Sequence, residues 1–318
     1  MTEQTSIIPI FFCIDDKYAP FLNVALSSMI RNASKDYTYH IIVLYDELSD
    51  ENRRCIEAFA GENVMIRLVS MENRLSGITD QNRLRADYVT LTIYFRLFIP
   101  VMFPEYDKGI YLDSDIVIPG DISELYQFEL EDNYIGAVAD HSVADVPQLV
   151  NYIENGIGIE TRFYINSGVL LMNLKKLREA ALEQRFLELM NTWHFDCIAP
   201  DQDYLNVMCH GKITYLPADW DAMPTQGRAH MECPKLIHYN LFAKPWYYDN
   251  VQYEEYFWDY ARETDYLPHI MDIKTGYSEE DRASDSECMK LLLFRGEEIA
   301  GAKENFRTVF NEGKEKRL

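Results

Sequence analysis

Residues 7–14 form a nearly continuous apolar run, Ile-Ile-Pro-Ile-Phe-Phe-Cys-Ile, that stops at Asp15-Asp16. A run this short and bounded by charge reads as a strand buried on both faces, the kind found in parallel sheets covered by helices on either side. The chain then alternates. A helical pattern covers residues 20–30, strand patterns cover 39–44 and 64–69, and a helix begins between those strands near Ser49. Residues 90–98 read as an apolar helix carrying one cation, Arg96. Residues 109–112 read as a strand running directly into Asp113-Ser114-Asp115 and then Ile116-Val117-Ile118. Further strands are expected at 134–139, ending on Asp140, and at 163–172. A helix over 174–190 follows, then a short one over 201–208 entered through an acidic cap. This alternation predicts an α/β protein with an open, predominantly parallel sheet flanked by helices. Ligands of such sheets gather beyond the carboxyl ends of the strands, where Asp15, Asp113 and Asp140 all fall.

Charge narrows the partners. With 52 acidic against 30 basic residues the formal charge is -22, which argues against nucleic acid, because phosphate backbones need a basic field. Any phosphate must be held locally, by a metal ion or a few placed donors. The six cysteines are scattered without a CxxC pair, so reduced thiols are expected rather than a disulfide framework or a zinc site. The amino terminus shows no basic segment followed by a long apolar one, and the expectation is a cytoplasmic protein. At 47% hydrophobic and 13% aromatic the 318 residues can bury a substantial core. Residues 1–250 are expected to form a catalytic domain and 251–318 an acidic-aromatic and helical extension. The aromatic-acidic stretch 246–266 reads as a packed helix with a solvated face. Residues 303–318, with five basic and three acidic side chains, read as a solvated tail making at most peripheral contact with the inner face of a membrane.

The sharpest chemical feature is Asp113-Ser114-Asp115. Two carboxylates flanked by apolar strand residues are costly to bury bare, and a hard divalent cation resolves that cost. On a regular strand, side chains two apart share a face, so both carboxylates would reach one ion. The competing reading is a pair of solvated acids at a turn. His238 would complete a manganese site with two carboxylates, though a lone histidine after apolar residues is more often structural. Lys244, just before a proline, would neutralise a phosphate or sit at the surface. Asp201-Gln202-Asp203 alone reads as a helix cap with a solvated first turn, and Asn166 as a loop residue. Arg96 within apolar surroundings requires an anionic partner. The residues alone lead to a metal-dependent α/β enzyme acting on a phosphorylated or nucleotide ligand.

Taken in order, Cys13-Ile14-Asp15-Asp16-Lys17-Tyr18-Ala19, Thr92-Ile93-Tyr94-Phe95-Arg96-Leu97, Tyr111-Leu112-Asp113-Ser114-Asp115, Tyr164-Ile165-Asn166-Ser167-Gly168, Asp201-Gln202-Asp203-Tyr204-Leu205-Asn206 and Lys244-Pro245-Trp246 resemble the family 8 glycosyltransferases. The resemblance implies a GT-A fold, manganese or magnesium, and a UDP-glucose or UDP-galactose donor. It further implies a glycan or lipid-linked saccharide acceptor, and transfer with retention of anomeric configuration. By position, Asp113, Asp115 and His238 correspond to metal ligands, with Lys244 at the phosphates. Asp15 corresponds to a nucleoside contact, and Ser114 belongs with the donor-binding residues. Arg96, Asn166, Asp201 and Gln202 correspond to residues lining the donor sugar, Gln202 near the anomeric carbon, and Asp140 to an acceptor contact. An amide is a poor nucleophile, so the resemblance points to same-face attack assisted by the departing phosphate rather than a covalent intermediate. Two positions depart from the family pattern: Lys17 replaces its asparagine at the uracil, and Leu241 its glycine at the diphosphate. A non-catalytic nucleotide-sugar or glycan binder on the same fold is the alternative Leu241 favours. A metal-dependent nucleotidyltransferase or phosphohydrolase is the other.

Overall fold

The computed structural model describes residues 6–72, 91–225, 227 and 229–318. The opening apolar run is strand β1 (Ser6–Ile14), followed by α1 (Ala19–Asn32), β2 (Tyr37–Tyr45), α2 (Asp50–Glu57) and β3 (Val64–Ser70). Ser49 caps α2 by accepting from the Asn52 amide. Next come a 3₁₀ helix (Leu91–Leu97), α3 (Ile99–Met102), β4 (Gly109–Leu112), β5 (Ile116–Val117), α4 (Ile122–Tyr126) and β6 (Ile135–Ala137). Helix α5 (Pro147–Asn151) runs into a π-helical stretch, Tyr152–Ile157, ahead of β7 (Val169–Met172). The chain continues with α6 (Leu174–Glu179), α7 (Leu182–Trp193), α8 (Pro200–Cys209), β8 (Ile213–Tyr215), β9 (Ile237–His238), α9 (Glu254–Ala261), α10 (Leu267–Gly276), α11 (Glu279–Ala300) and α12 (Phe306–Asn311).

The main sheet has seven strands among the described residues, in the order β3-β2-β1-β4-β7-β6-β8. Pairing is parallel except where β7 runs antiparallel to β4 and β6. Both faces of β1 are covered, as its sequence requires. Phe11 belongs to one apolar cluster, and Ile10 and Phe12 to another on the opposite side. A third cluster joins Phe21 of α1 to Tyr239, Trp246, Phe257 and Ile270. Trp246 stacks on Phe21 with ring centroids 4.0 Å apart, so the aromatic stretch is packed as expected, but within 246–266 only Glu254–Ala261 is helical.

The structure corrects four local expectations. Residues 90–98 are not an α-helix: the described part is 3₁₀, and Thr90 lies outside the described residues. The 163–172 strand begins only at Val169. Before it, Ile165 makes only an isolated antiparallel bridge to Ala139, with Asn166 N bonded to Val138 O, and the chain bends at residues 167–168, where Gly168 O accepts from Asp113 N at 2.7 Å. The 174–190 helix is two helices, broken at Ala181 with φ 53. Helix α8 has Ala199 rather than an acid at its cap.

The carboxyl end is not a solvated tail. The Leu318 amide donates to Met208 O at 3.0 Å, and Glu315 accepts from Trp193 Nε1 at 2.8 Å while pairing with Arg185. Those contacts hold residues 315–318 against α7 and α8. No helix among the described residues is long and apolar enough to cross a membrane.

Candidate active site

Asp113-Ser114-Asp115 is a bend between β4 and β5, not a stretch of regular strand. At Asp113 the chain leaves the main sheet; it then pairs with β9, in a register that sets Ile116 opposite His238. This second, two-stranded ladder brings His238 to the carboxylates. One ligand atom from each of Asp113, Asp115 and His238 lies within 4.8 Å of the others. His238 Nε2 is 3.4 Å from Asp115 Oδ1 and 3.9 Å from Asp113 Oδ2. Two carboxylates and an imidazole suit manganese or magnesium, so the residues fit a hard divalent cation.

Each carboxylate is also held from behind. Asp113 Oδ1 accepts from Arg96 Nη2 at 2.8 Å and Tyr111 Oη at 2.6 Å. Asp115 Oδ2 pairs with Lys244 Nζ. Burial alone would raise the Asp115 pKa, but Lys244 and His238 reverse it and hold the carboxyl below its ordinary range. Burial likewise disfavours the His238 imidazolium, yet Asp115 and Asp221 push its pKa up to about 10. The imidazole thus lies between Asp115 and Asp221, whose charges favour its protonated form.

Asp221 escaped the sequence reading. Fully buried, it lies with Oδ1 3.1 Å from His238 Nδ1, leaving Nε2 toward Asp113 and Asp115. Nothing in the Ala-Asp-Trp-Asp stretch marks it; only the fold brings it under His238. Orienting carboxylates of this kind fix the tautomer and ring angle of a ligating histidine.

Gly168 is demanded by space. A Cβ there would sit 2.3 Å from His238 Cε1 and 2.7 Å from Asp113 Oδ2, so alanine must displace two proposed ligands at once. We expect Gly168→Ala to weaken manganese binding at least about tenfold, read by calorimetric titration of the folded variant. Unchanged affinity would show that these side chains do not bind the ion together.

Arg96 is buried and fully engaged. Its Nε lies 3.1 Å from Asp201 Oδ2, its Nη1 donates to Ser167 O at 2.7 Å and Ser167 Oγ at 3.0 Å, and its plane covers Tyr111 at 4.3 Å. Burial opposes its charge, but Asp113 and Asp201 raise its pKa well above the ordinary value. The anionic partners that its sequence required are thus two aspartates, and the Ile93 and Ser167 carbonyls take further donors. The acid expected at the α8 cap, Asp201, is buried against this guanidinium and accepts from Ser167 Oγ at 3.0 Å.

A second network adjoins the first. Asn166 Nδ2 and Gln202 Nε2 each donate to Asp140 Oδ2 at 3.2 Å, while Gln202 Oε1 accepts from Ser167 N at 3.0 Å. Asp113, Asp115, His238, Arg96, Asn166, Asp201, Gln202, Asp140, Leu241 and Lys244 all line one cavity of about 260 Å³. Three expected residues do not. Ser114 is buried without lining it; Asp15 caps the turn at Tyr18, accepting that amide at 3.1 Å; Lys17 is exposed.

Asp203 does not belong to a solvated turn. It is wholly buried, accepting 2.6 Å hydrogen bonds from Tyr152 Oη and Tyr164 Oη and a longer one from Ala199 N. Burial outweighs those donors and raises its pKa to about 7. An unfolded aspartate titrates near ~3.9. Between those values the folded chain holds the extra proton, so this group's contribution to stability is complete at low pH and declines as pH rises toward 7. Asp203→Asn removes that dependence. In denaturant titrations the wild type should lose a few kcal/mol relative to the variant from pH 4 to 7. Parallel pH profiles would contradict the assignment.

A sequence model described as glycosyl transferase family 8 matches residues 9–250. The chain belongs to that family. It is 32% identical over 180 residues to a lipopolysaccharide 1,2-glucosyltransferase of Escherichia coli, covering 51% of this chain and 52% of that one. Its structure matches the galactosyltransferase LgtC, solved with donor and acceptor sugar analogs, with a TM-score of 0.67 at 28% identity, over 81% of this chain and 96% of LgtC. The bifunctional glycosyltransferase WbbM matches with a TM-score of 0.71 over 86% of this chain at 22% identity, a likeness of fold; the chain spans about half of that protein, 53%. The fold is therefore GT-A and the family one of glycosyltransferases. At Leu241, where this family 8 chain departs from the glycine pattern, the backbone is left-handed with φ 49. The loop keeps a conformation that favours glycine, and the leucine carries the strain.

Proposed function

We propose that this protein transfers a hexose, glucose or galactose, from its uridine diphosphate ester to a saccharide acceptor, with retention of configuration. The observation that carries the reading is the convergence of Asp113, Asp115 and His238, their ligand atoms within 4.8 Å of one another, in the cavity that also holds Gln202 and Asp140. Manganese or magnesium, held by those three residues, would supply Lewis-acid stabilisation of charge on the departing diphosphate. Lys244, buried beside Asp115, places a cation where a phosphate oxygen would lie. Arg96 neutralises Asp113 and Asp201 and fixes both.

The same geometry supports same-face attack. Asp201 is bound by Arg96 and Ser167, so its carboxylate is not free to act as a nucleophile. Gln202 is pinned at both ends of its amide. Asp140 is oriented by Asn166, Gln202 and the Ser142 amide, suiting it to bind an acceptor hydroxyl. The hydroxyl's proton would pass to the leaving phosphate oxygen. Residues 1–250 act in this reading as the transferase unit and 251–318 as its brace.

Calorimetric titration with UDP, UDP-glucose and UDP-galactose, with and without manganese, tests the proposal. Manganese-dependent binding of UDP and preference for one sugar nucleotide are expected. Equal binding without metal, or none with it, would refute the reading. Bound donor that is neither hydrolysed nor transferred would favour the non-catalytic alternative.

A further inference from the structure

The cavity is not polar throughout. Away from the carboxylates its lining includes Val143, Leu149, Ile153 and Ile198, and one side chain from α11, Leu292. The first four are buried, and Leu292 packs half-buried against the same apolar cluster. Val143 stands three residues after Asp140, the proposed acceptor contact, and Ser142 between them is tied to Asp140 and reached by Asn240 at 3.3 Å. The apolar wall therefore continues from the acceptor side of the site.

Helix α11 lies past residue 250, where the family match ends, and the fold holds it firmly in place. Gly296 sits against Tyr152, where an added Cβ would meet Tyr152 Cβ at 3.4 Å. Asn151 donates to Glu297 at 2.8 Å, and Arg295 pairs with Asp196 on the segment leading to Ile198. Tyr152 in turn donates to Asp203 of α8, the helix that carries Gln202. The wall is thus a fixed part of the site. A sugar hydroxyl set against five aliphatic side chains would lose its hydrogen bonds to water without replacement. A hydrocarbon group there gains about fourfold in affinity for each methylene buried.

We infer that Leu292, with Val143, Leu149, Ile153 and Ile198, forms an apolar subsite that receives an apolar substituent carried by the acceptor sugar. The inference rests on the sugar-transfer reading above, and names a feature of its acceptor. Leu292 selects among acceptors, and its contribution is absent for a bare hexose.

The test uses the full chain saturated with manganese and UDP, titrated with methyl, butyl and hexyl β-D-galactosides and with the matching glucosides. Wild-type affinity should rise at least about tenfold from methyl to butyl in one sugar series. Leu292→Asn should cut that gain to under about threefold, and Leu292→Met should restore it. Leu292 is only half-buried, so both variants should fold, which thermal melting checks. A flat series in the wild type, no binding of any glycoside, or a gain that survives Leu292→Asn would each overturn the subsite. Failure to bind UDP with manganese, seen before any glycoside is added, would instead bring down the transferase reading and the subsite with it.

Discussion

Asp115→Asn should abolish manganese-dependent UDP binding and lower turnover at least about a thousandfold, the scale of loss when a charge-stabilising group is removed from a transfer site. Asparagine nearly preserves the shape of the side chain, and its carbonyl can still face Lys244, so the variant should fold. It removes one of two proposed anionic ligands and the charge that holds Lys244 at the site. His238 also loses an acid 3.4 Å from Nε2, weakening the arrangement that presents it. Calorimetry with and without manganese, together with steady-state transfer assays, measures both effects. A variant that keeps metal-dependent UDP binding would show that the ion sits elsewhere. Loss of turnover with binding intact would reassign Asp115 from the metal to the chemistry.

Arg96→Met should be the most destabilising single change at the site. It leaves Asp113 and Asp201, both now paired to one guanidinium, without a countercharge. Breaking a buried ion pair from one side costs about 3–5 kcal/mol, or a fall in Tm of roughly 4–8 °C for a chain of this length. Arg96→Lys should rescue little. A single ammonium cannot span Asp113, Asp201 and the Ser167 carbonyl in the geometry of a fork, nor cover Tyr111 as a plane does. Thermal unfolding with and without manganese reads the result. An unchanged Tm for Arg96→Met would mean that the two aspartates are satisfied by other groups, and that Arg96 serves substrate alone.

The proposed ligands were legible in the chain for different reasons. Asp113 and Asp115 stand out because both neighbouring segments are fully apolar, which makes two charges anomalous at short range. The expected geometry was wrong: the carboxylates converge across a bend, not along a strand. Arg96 was legible as a buried cation in need of anions, while its partners were not, because Asp113 and Asp201 come from separate elements. Asp221 and Leu292 were silent. One is an ordinary acid in a loop and the other an ordinary leucine on a long helix, and each acquires its place only from what folds against it.

Local burial patterns alone determined the alternation of strands and helices, the two-sided cover of β1 and the acidic ends of the strands. Hydrophobic periodicity is written residue by residue, and short-range sterics convert it into strand or helix. Tertiary structure decided which acids meet. Pairing of β5 with β9 carries His238 to the carboxylates, the turn at residues 166–168 carries Asn166 to Asp140, and α11 carries Leu292 into the cavity. These contacts join residues far apart in the chain. They are specified by the packing of whole elements, so no local pattern records them.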